Sequence, residues 1–134
     1  MKKQTTQSKI TDLQARRKQV EAGGGAKRIK AQHDKGKLTA RERLARLFDA
    51  DSFVESMTFA RHRCTQFGMD GQEVPGDAVV VGGGTVQGRT VFCYSQDFTA
   101  SGGSVGEMHA QKVVAIMKDA LKYGAPVVGI NDSG

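Results

Sequence analysis

From Arg89 to Ile130 the chain runs through two apolar stretches of strand length, "RTVFCYSQDF" and "PVVGI", separated by one stretch of helix length. Two strands joined by a helix of about 20 residues cannot form a tight hairpin; they lie parallel, joined by a crossover that is right-handed by default. That βαβ unit fixes the class as α/β. The connecting segment, Ser104 to Tyr123, carries helix signals at both ends. Ser104 with Glu107 has the spacing of a capping box, and Ala110, Val114, Met117 and Leu121 repeat at i, i+4, i+7 and i+11 as an apolar stripe. Lys122 sits near the negative end of the helix dipole, Gly124 is placed at C′, and Pro126 stops the helix.

Upstream, "DAVVVGGGTVQGRTVFCYSQDF" reads as two strands joined at Gln87-Gly88, with enough apolar residues for a strand covered on both faces. Gly82-Gly83-Gly84 in the first marks a bulge or a place where another backbone approaches closely. "FVESMTF" predicts a short strand, and "HRCTQFGMDGQEVPG" a long connecting loop. Before residue 50 the pattern is helical and polar. Residues 8–21 place Ile10, Leu13 and Val20 among charges, Gly23-Gly24-Gly25 stops that helix, and residues 26–34 add a further turn or two. "TARERLARLFD" opens with Thr39 and Glu42, a second capping-box pair, followed by Leu44, Leu47 and Phe48 at helical spacing. Such a front has a poor core of its own and needs a larger body to pack on.

Charge divides at the same place. Residues 1–50 hold 14 Lys and Arg against 5 Asp and Glu, a net +9, whereas residues 51–134 carry −3. A basic arm suits an anionic partner, yet it fits equally a solvated helical face. No aromatic residue before Phe48 interleaves the charges, and no nucleic-acid-binding motif is present, so nucleic acid is not expected as a partner. No apolar run approaches the length of a spanning helix, and no apolar segment follows the basic start as in a secretory signal. Cys64 and Cys93 stand apart without a CxxC pair, which predicts reduced thiols, no zinc site and a cytoplasmic setting.

The glycine-rich stretches fail the established phosphate patterns. GxxxxGK[ST] is absent, "GGSVG" has the wrong spacing for GxGxxG, and "GGGTVQG" lies between strands. What remains is "QDFTASGGSVGEMHAQK", where Gly102-Gly103-Ser104 passes from strand to helix. Helix N-termini offer unpaired N–H groups and a positive dipole end, and glycines let a ligand approach them. The residues alone fit two readings: a site for a phosphate, carboxylate or thioester oxygen, or a tight capped turn. His62 and Cys64 form a lone HxC without partners, and His109 reads as a capped or surface histidine. Asp97 and Asp132 end strands on what is expected to be one edge of the sheet, a place for functional carboxylates. Ser133 lacks the GxSxG frame of a nucleophile elbow. Met117-Lys118 lies in a helix without a second Met, so biotin is not expected to be attached here.

Four strings in order, "EAGGGAKRIKAQHDKGKLTARERLARLFDADSFVE", "HRCTQFGMD", "SQDFTASGGSVGEMHAQKV" and "GAPVVGINDSG", resemble the start of the carboxyltransferase subunit of biotin-dependent acyl-CoA carboxylases, from about Val20 to Gly134. Members include the propionyl-CoA carboxylase beta chain, the large transcarboxylase subunit and the alpha subunit of sodium-pumping methylmalonyl-CoA decarboxylase. The resemblance implies a partial crotonase-like fold of ββα units: a helical basic arm over residues 1–50, then the first part of the carboxyltransferase N-terminal domain over 51–134. It implies transfer of a carboxyl group between carboxybiotin and a short-chain acyl-CoA of the propionyl-CoA and methylmalonyl-CoA type. Biotin would ride on a separate subunit or domain, with biotin carboxyl carrier and biotin carboxylase subunits as partners, a homo-oligomeric assembly, and no metal in this domain. Thr99, Ser101, Gly102, Gly103 and Ser104 would border the acyl-CoA. Asn131 to Gly134 would match the first half of the family's "NDSGGARIQEG", so Gly134 joins them, while catalytic residues stay unassigned. Ala100-Ser101 stand where the family commonly has a large apolar residue. A strand handing over to "NDSG" at the end of the chain reads as a piece of a longer fold, inactive alone. The sodium-pump decarboxylase subunit is the alternative within the family, and a non-catalytic CoA-binding or scaffold module is the alternative outside it.

Overall fold

The computed structural model describes residues 5–134; Lys2 and Lys3 of the basic arm lie outside the described residues. Three helices come first: α1 (Thr6–Glu21), α2 (Ala26–Asp34) and α3 (Ala40–Leu47). Strands β1 (Val54–Ser56), β2 (Val79–Val86) and β3 (Arg89–Gln96) follow, then α4 (Glu107–Tyr123) and β4 (Val127–Ile130). One sheet has the order β1-β2-β3-β4. β1, β2 and β3 pair antiparallel, and β4 pairs parallel to β3 with Cys93 opposite Val128. The expected strand–helix–strand unit is present.

Helices cover both faces of the sheet. Alternation along β2 and β3 sends Val80, Val91 and Cys93 toward Ala40, Leu44 and Phe48 of the α3 segment, while Val79 and Val81 meet Ile116 of α4. Thus α3 supplies one half of the core, anchored by the Thr39–Glu42 capping box, which forms as its spacing predicts. Burial raises the pKa of the Cys93 thiol to about 11. α1 has no buried residue.

Three details differ from the sequence reading, and of the two alternatives for the β2 glycines close approach is the one found. The strand expected over 53–59 is cut to Val54–Ser56, because Met57 turns into the left-handed region at φ 53°. β2 pairs with β3 without a bulge; its glycines serve close approach instead. A Cβ at Gly82 would stand 2.2 Å from the Val54 carbonyl, and one at Gly84 2.9 Å from that of Ser52. α4 starts at Glu107, three residues after the expected cap. Its stripe Ala110, Val114, Met117 and Leu121 faces solvent, Leu121 being 85% exposed, while His109, Lys112, Ile116 and Ala120 face inward. The helix ends as expected, with Gly124 left-handed at φ 63°.

Candidate functional site

The inward face of α4 is polar at its start because it meets an unusual turn. Gly76, Asp77 and Ala78, all buried, hold φ values of 58°, 50° and 60°, three consecutive left-handed residues just before β2. L residues resist that conformation by about 1–2 kcal/mol each. α4 compensates with four hydrogen bonds. The Lys112 ammonium donates to the carbonyls of Gly76, at 2.7 Å, and Val79. Nδ1 of His109 donates to the Asp77 carbonyl at 3.0 Å, and the His109 backbone N–H donates to the Asp77 carboxylate at 2.7 Å.

That last bond answers what the helix N-terminus holds. Gly106 is the N-cap and has no capping side chain, and His109 stands at N3, so Asp77 makes the bond expected of Ser104. A Cβ at position 106 would lie 2.9 Å from the Asp77 carboxylate, which explains the glycine. The positive end of the helix therefore carries an internal anion. The Ser104–Glu107 capping box does not form; Ser104 is exposed with an extended backbone. His109 is buried, not superficial, and its pKa falls through burial, partly opposed by the bond to Asp77 and its charge. Burial likewise pulls Lys112 down to about 8, against the opposing charge of Glu55.

The residues singled out around the Gly-Gly pair do come together. Gly102 and Gly103 are left-handed at φ 62° and 69°, Ser101 at 47°, and the loop rests on the end of the chain. Gly134 N–H donates to the Gly102 carbonyl at 3.0 Å, and a Cβ at Gly103 would stand 2.1 Å from the Asp132 carbonyl. Ser101 and Ser104 are exposed above, while Gly103 and Thr99 are buried below. Thr99 is engaged internally: its hydroxyl donates to Asp97 at 2.6 Å and accepts from the Gly24 N–H at 3.0 Å. The three glycines at 23–25 thus do more than end α1. A Cβ at Gly24 would fall 1.6 Å from the Thr99 carbonyl.

Asp97 and Asp132 do lie beside one another's loops, but both are tied up. Asp132 accepts from Gln32 at 2.8 Å, Lys37 at 3.0 Å and Arg43 at 2.7 Å, and its N–H donates to the Gln96 side chain at 2.9 Å. Burial alone would raise its pKa; the bonds from Lys37 and Arg43, with the Arg43 charge and Gln32, outweigh it and hold the carboxyl below its ordinary value. It is the latch between the arm and β4. Between α2 and the loop runs a cleft of about 390 Å³, lined by Arg28, Gln32, Lys35, Phe98, Ser101 and Gly102 among others. On the other side of the loop the segment His62–Cys64 approaches, with Arg63 paired to Glu107. Among the described residues no group of three or more His, Cys, Asp or Glu is arranged to hold a metal ion. The loop offers hydroxyls, backbone groups and neighbouring cations: equipment for binding and orienting an anionic or polar ligand, not for moving protons.

Residues 31–134 match the family described as the carboxyl transferase domain. The chain belongs to that family. It is 56% identical over 130 residues to methylmalonyl-CoA decarboxylase subunit alpha of Veillonella parvula, covering 97% of this chain and 26% of that one. It is 54% identical over 125 residues to the propionyl-CoA carboxylase beta chain of Cereibacter sphaeroides, covering 93% and 24%. The fold superposes on the transcarboxylase 12S crystal structure, a hexamer assembly with methylmalonyl-coenzyme A and methylmalonic acid bound, with a TM-score of 0.95 and 49% identity over 98% of this chain and 26% of that one. The carboxyl transferase chain described here spans about a quarter of the length of these relatives. The family resemblance and the α/β, crotonase-like class both hold. No helix among the described residues is long and apolar enough to cross a membrane.

Proposed function

We propose that this carboxyl transferase chain forms one wall of the site at which a carboxyl group passes between carboxybiotin and the α-carbon of a short acyl-CoA. Residues 1–50 act as an arm that braces the wall, and residues 51–134 carry it. Ser101, Gly102, Ser104 and Gly134 border the acyl-CoA, while Thr99 and Gly103 hold the loop from below. The observation that carries the reading is the meeting of the 99–104 loop with residues 131–134, two family strings 30 residues apart, at one ledge. Chemically the reaction needs a thioester enolate stabilised by hydrogen-bond donors; this chain's part is to bind and orient the ester. Biotin, supplied on a carrier subunit or domain, brings the activated carboxyl group. Met117-Lys118 lies within α4, not on a hairpin tip where a biotinylated lysine would project. Carrier and biotin carboxylase subunits, and further copies of the chain, complete the assembly in a cytoplasmic setting.

Titration of the ¹⁵N-labelled chain with propionyl-CoA tests this. Amide shifts are expected at Ser101–Ser104 and Gly134, together with no decarboxylation of methylmalonyl-CoA by residues 1–134 alone. Shifts confined elsewhere, or turnover by the chain alone, would refute the one-wall reading. A second reading, the alpha subunit of a sodium-pumping decarboxylase, draws its support from 58% identity over 126 residues to the methylmalonyl-CoA decarboxylase subunit alpha of Propionigenium modestum, against 56% over 114 residues to the propionyl-CoA carboxylase beta chain of Mus musculus. Sodium dependence of the assembled enzyme separates the two.

A further inference from the structure

The loop between β1 and β2 carries a bare aromatic ring at its tip. Phe67 is 95% exposed. It stands with Gly68 at the centre of a tight turn: their φ values are 55° and 71°, and the Met69 N–H donates to the Gln66 carbonyl at 3.1 Å. Two left-handed central residues mark a type I′ turn, which suits Asn and Gly and is resisted by a bulky side chain. The loop that holds this ring outward is braced. His62 Nε2 donates to the Gln72 carbonyl at 2.7 Å, which joins the two stems, while Arg61 pairs with Glu73 and Arg63 with Glu107. An aromatic ring presented by a rigid frame has the properties of an anchor, since docking buries its surface and costs little freedom.

A hollow of matching chemistry lies at the base of the same loop. This groove of about 530 Å³ is lined by Leu13, Arg16 and Val20 of α1 and by Phe59, Val74 and Pro75 of the loop. Its one carboxylate, Glu73, is taken by Arg61 and by Gln19, the latter at 3.0 Å. Arg16 pairs with no carboxylate among the described residues, so the groove is apolar with one free cation. Asp70, three residues after Phe67, is exposed and has no cationic partner among the described residues. Tip and groove therefore complement one another, ring to apolar lining and carboxylate to guanidinium. A ring so exposed does not fill the groove of its own chain, but two copies can fill each other's. With the groove at the base of the loop and Phe67 at its tip, two loops laid antiparallel set each tip over the other's base. Such a contact closes on itself about a two-fold axis. We propose that this chain pairs with a second copy through residues 59–75, Phe67 of each seated in the groove of the other and Asp70 of each facing the other's Arg16. The pairing is independent of the acyl-CoA reading of the 99–104 loop.

The test is sedimentation velocity of the chain over a concentration series, in salt enough to screen its net charge of +6. Wild type is expected to pass from monomer to dimer and no further. Phe67→Asn removes the ring and keeps a residue that tolerates the left-handed turn, so the loop stays as it is. Each dimer then loses two copies of the contact, at about tenfold each, and its dissociation constant is expected to rise about a hundredfold. Arg16→Glu sets a carboxylate against Asp70 and is expected to weaken pairing by about tenfold or more; adding Asp70→Arg restores the attraction and is expected to return pairing to within about threefold of wild type. Leu121→Ser removes apolar surface from the outer stripe of α4, where Leu121 is 85% exposed, and is expected to stay within about twofold of wild type. A wild type that remains monomeric up to about 1 mM overturns the proposal, as does growth beyond the dimer. Phe67→Asn pairing as tightly as wild type also overturns it. Weakening by Leu121→Ser equal to that by Phe67→Asn moves the contact to α4 and overturns the loop assignment. Failure of Asp70→Arg to rescue Arg16→Glu overturns the antiparallel register.

Discussion

Replacing Lys112 by methionine is expected to cost more stability at pH 10.5 than at pH 7, which is opposite to the usual loss of a buried ion. Lys112 is fully buried on α4, and among the described residues its ammonium is bound only by the Gly76 and Val79 carbonyls. Burial depresses its pKa from 10.5 to about 8, with Glu55 opposing and Arg41 reinforcing the effect. Between these values the unfolded chain holds a proton that the folded chain has released, so unfolding free energy rises with pH across the window. The gap corresponds to about 3 kcal/mol at 1.36 kcal/mol per pH unit. Below pH 8 the native state bears the cost of a buried charge; above pH 10.5 it keeps an amine that still donates to both carbonyls. Methionine cannot donate at any pH, so its disadvantage grows by about 3 kcal/mol across the window. Cys93 titrates here too, with opposite sign: its folded pKa near 11 lies above the ordinary 9.0, so the native state holds the extra proton and stability falls as pH rises. Subtracting variant from wild type removes the Cys93 contribution. Urea unfolding followed by far-UV circular dichroism at pH 7 and 10.5 gives the difference. A wild-type-minus-variant stability that stays flat across the window would refute the argument that Lys112 is a desolvated cation.

The two adjacent glycines of the loop separate conformational from steric cost. Gly103→Ala, with φ 69° and a carbonyl 2.1 Å from the new Cβ, is expected to destabilise by about 2 kcal/mol or more, whereas Gly102→Ala, with open space around it, costs about 1 kcal/mol; thermal unfolding ranks them. Thr99→Val removes the acceptor for the Gly24 N–H and the donor to Asp97, at a cost of about 1–3 kcal/mol, and is expected to speed proteolysis at residues 22–25. For Asp132→Asn the sign follows the depressed carboxyl pKa. The wild-type advantage is present above pH 3.8 and is lost as pH falls through the lower folded value, so stability profiles of the two proteins converge in acid.

Periodicity made the architecture legible where one physical effect dominates. Burial on both faces gave β2 and β3 their apolar runs, and the Thr39–Glu42 pair formed, its carboxylate also meeting His33 at 2.9 Å. The same signal at Ser104–Glu107 misled because a carboxylate 32 residues earlier in the chain reaches the α4 N-terminus first. Likewise, the apolar stripe of α4 pointed to the wrong face. The inward face begins with His109 and Lys112, whose polarity serves the carbonyls of a left-handed turn, and no local pattern announces that turn. The faint signal was the i, i+3, i+7 and i+11 spacing of His109, Lys112, Ile116 and Ala120. At the candidate site, the glycines and serines of the loop were visible in the sequence. The occupation of Thr99 and Asp132 by the arm was not, since it depends on contacts spanning 75 to 100 residues. Three glycines at 23–25 exceed what a helix stop requires, and that surplus was the available clue.

The latch at Asp132 also sets a clock. Gln32 and its partner carboxylate are separated by 100 residues, so the arm leaves the ribosome long before the group that fixes it exists. At about 5–20 residues per second this interval is roughly 5–20 s. During it α2 and α3 carry their cations and the apolar Leu44 and Phe48 without the sheet that covers them. The strongly charged arm is then its own protection, since like charges keep nascent chains apart until β4 arrives.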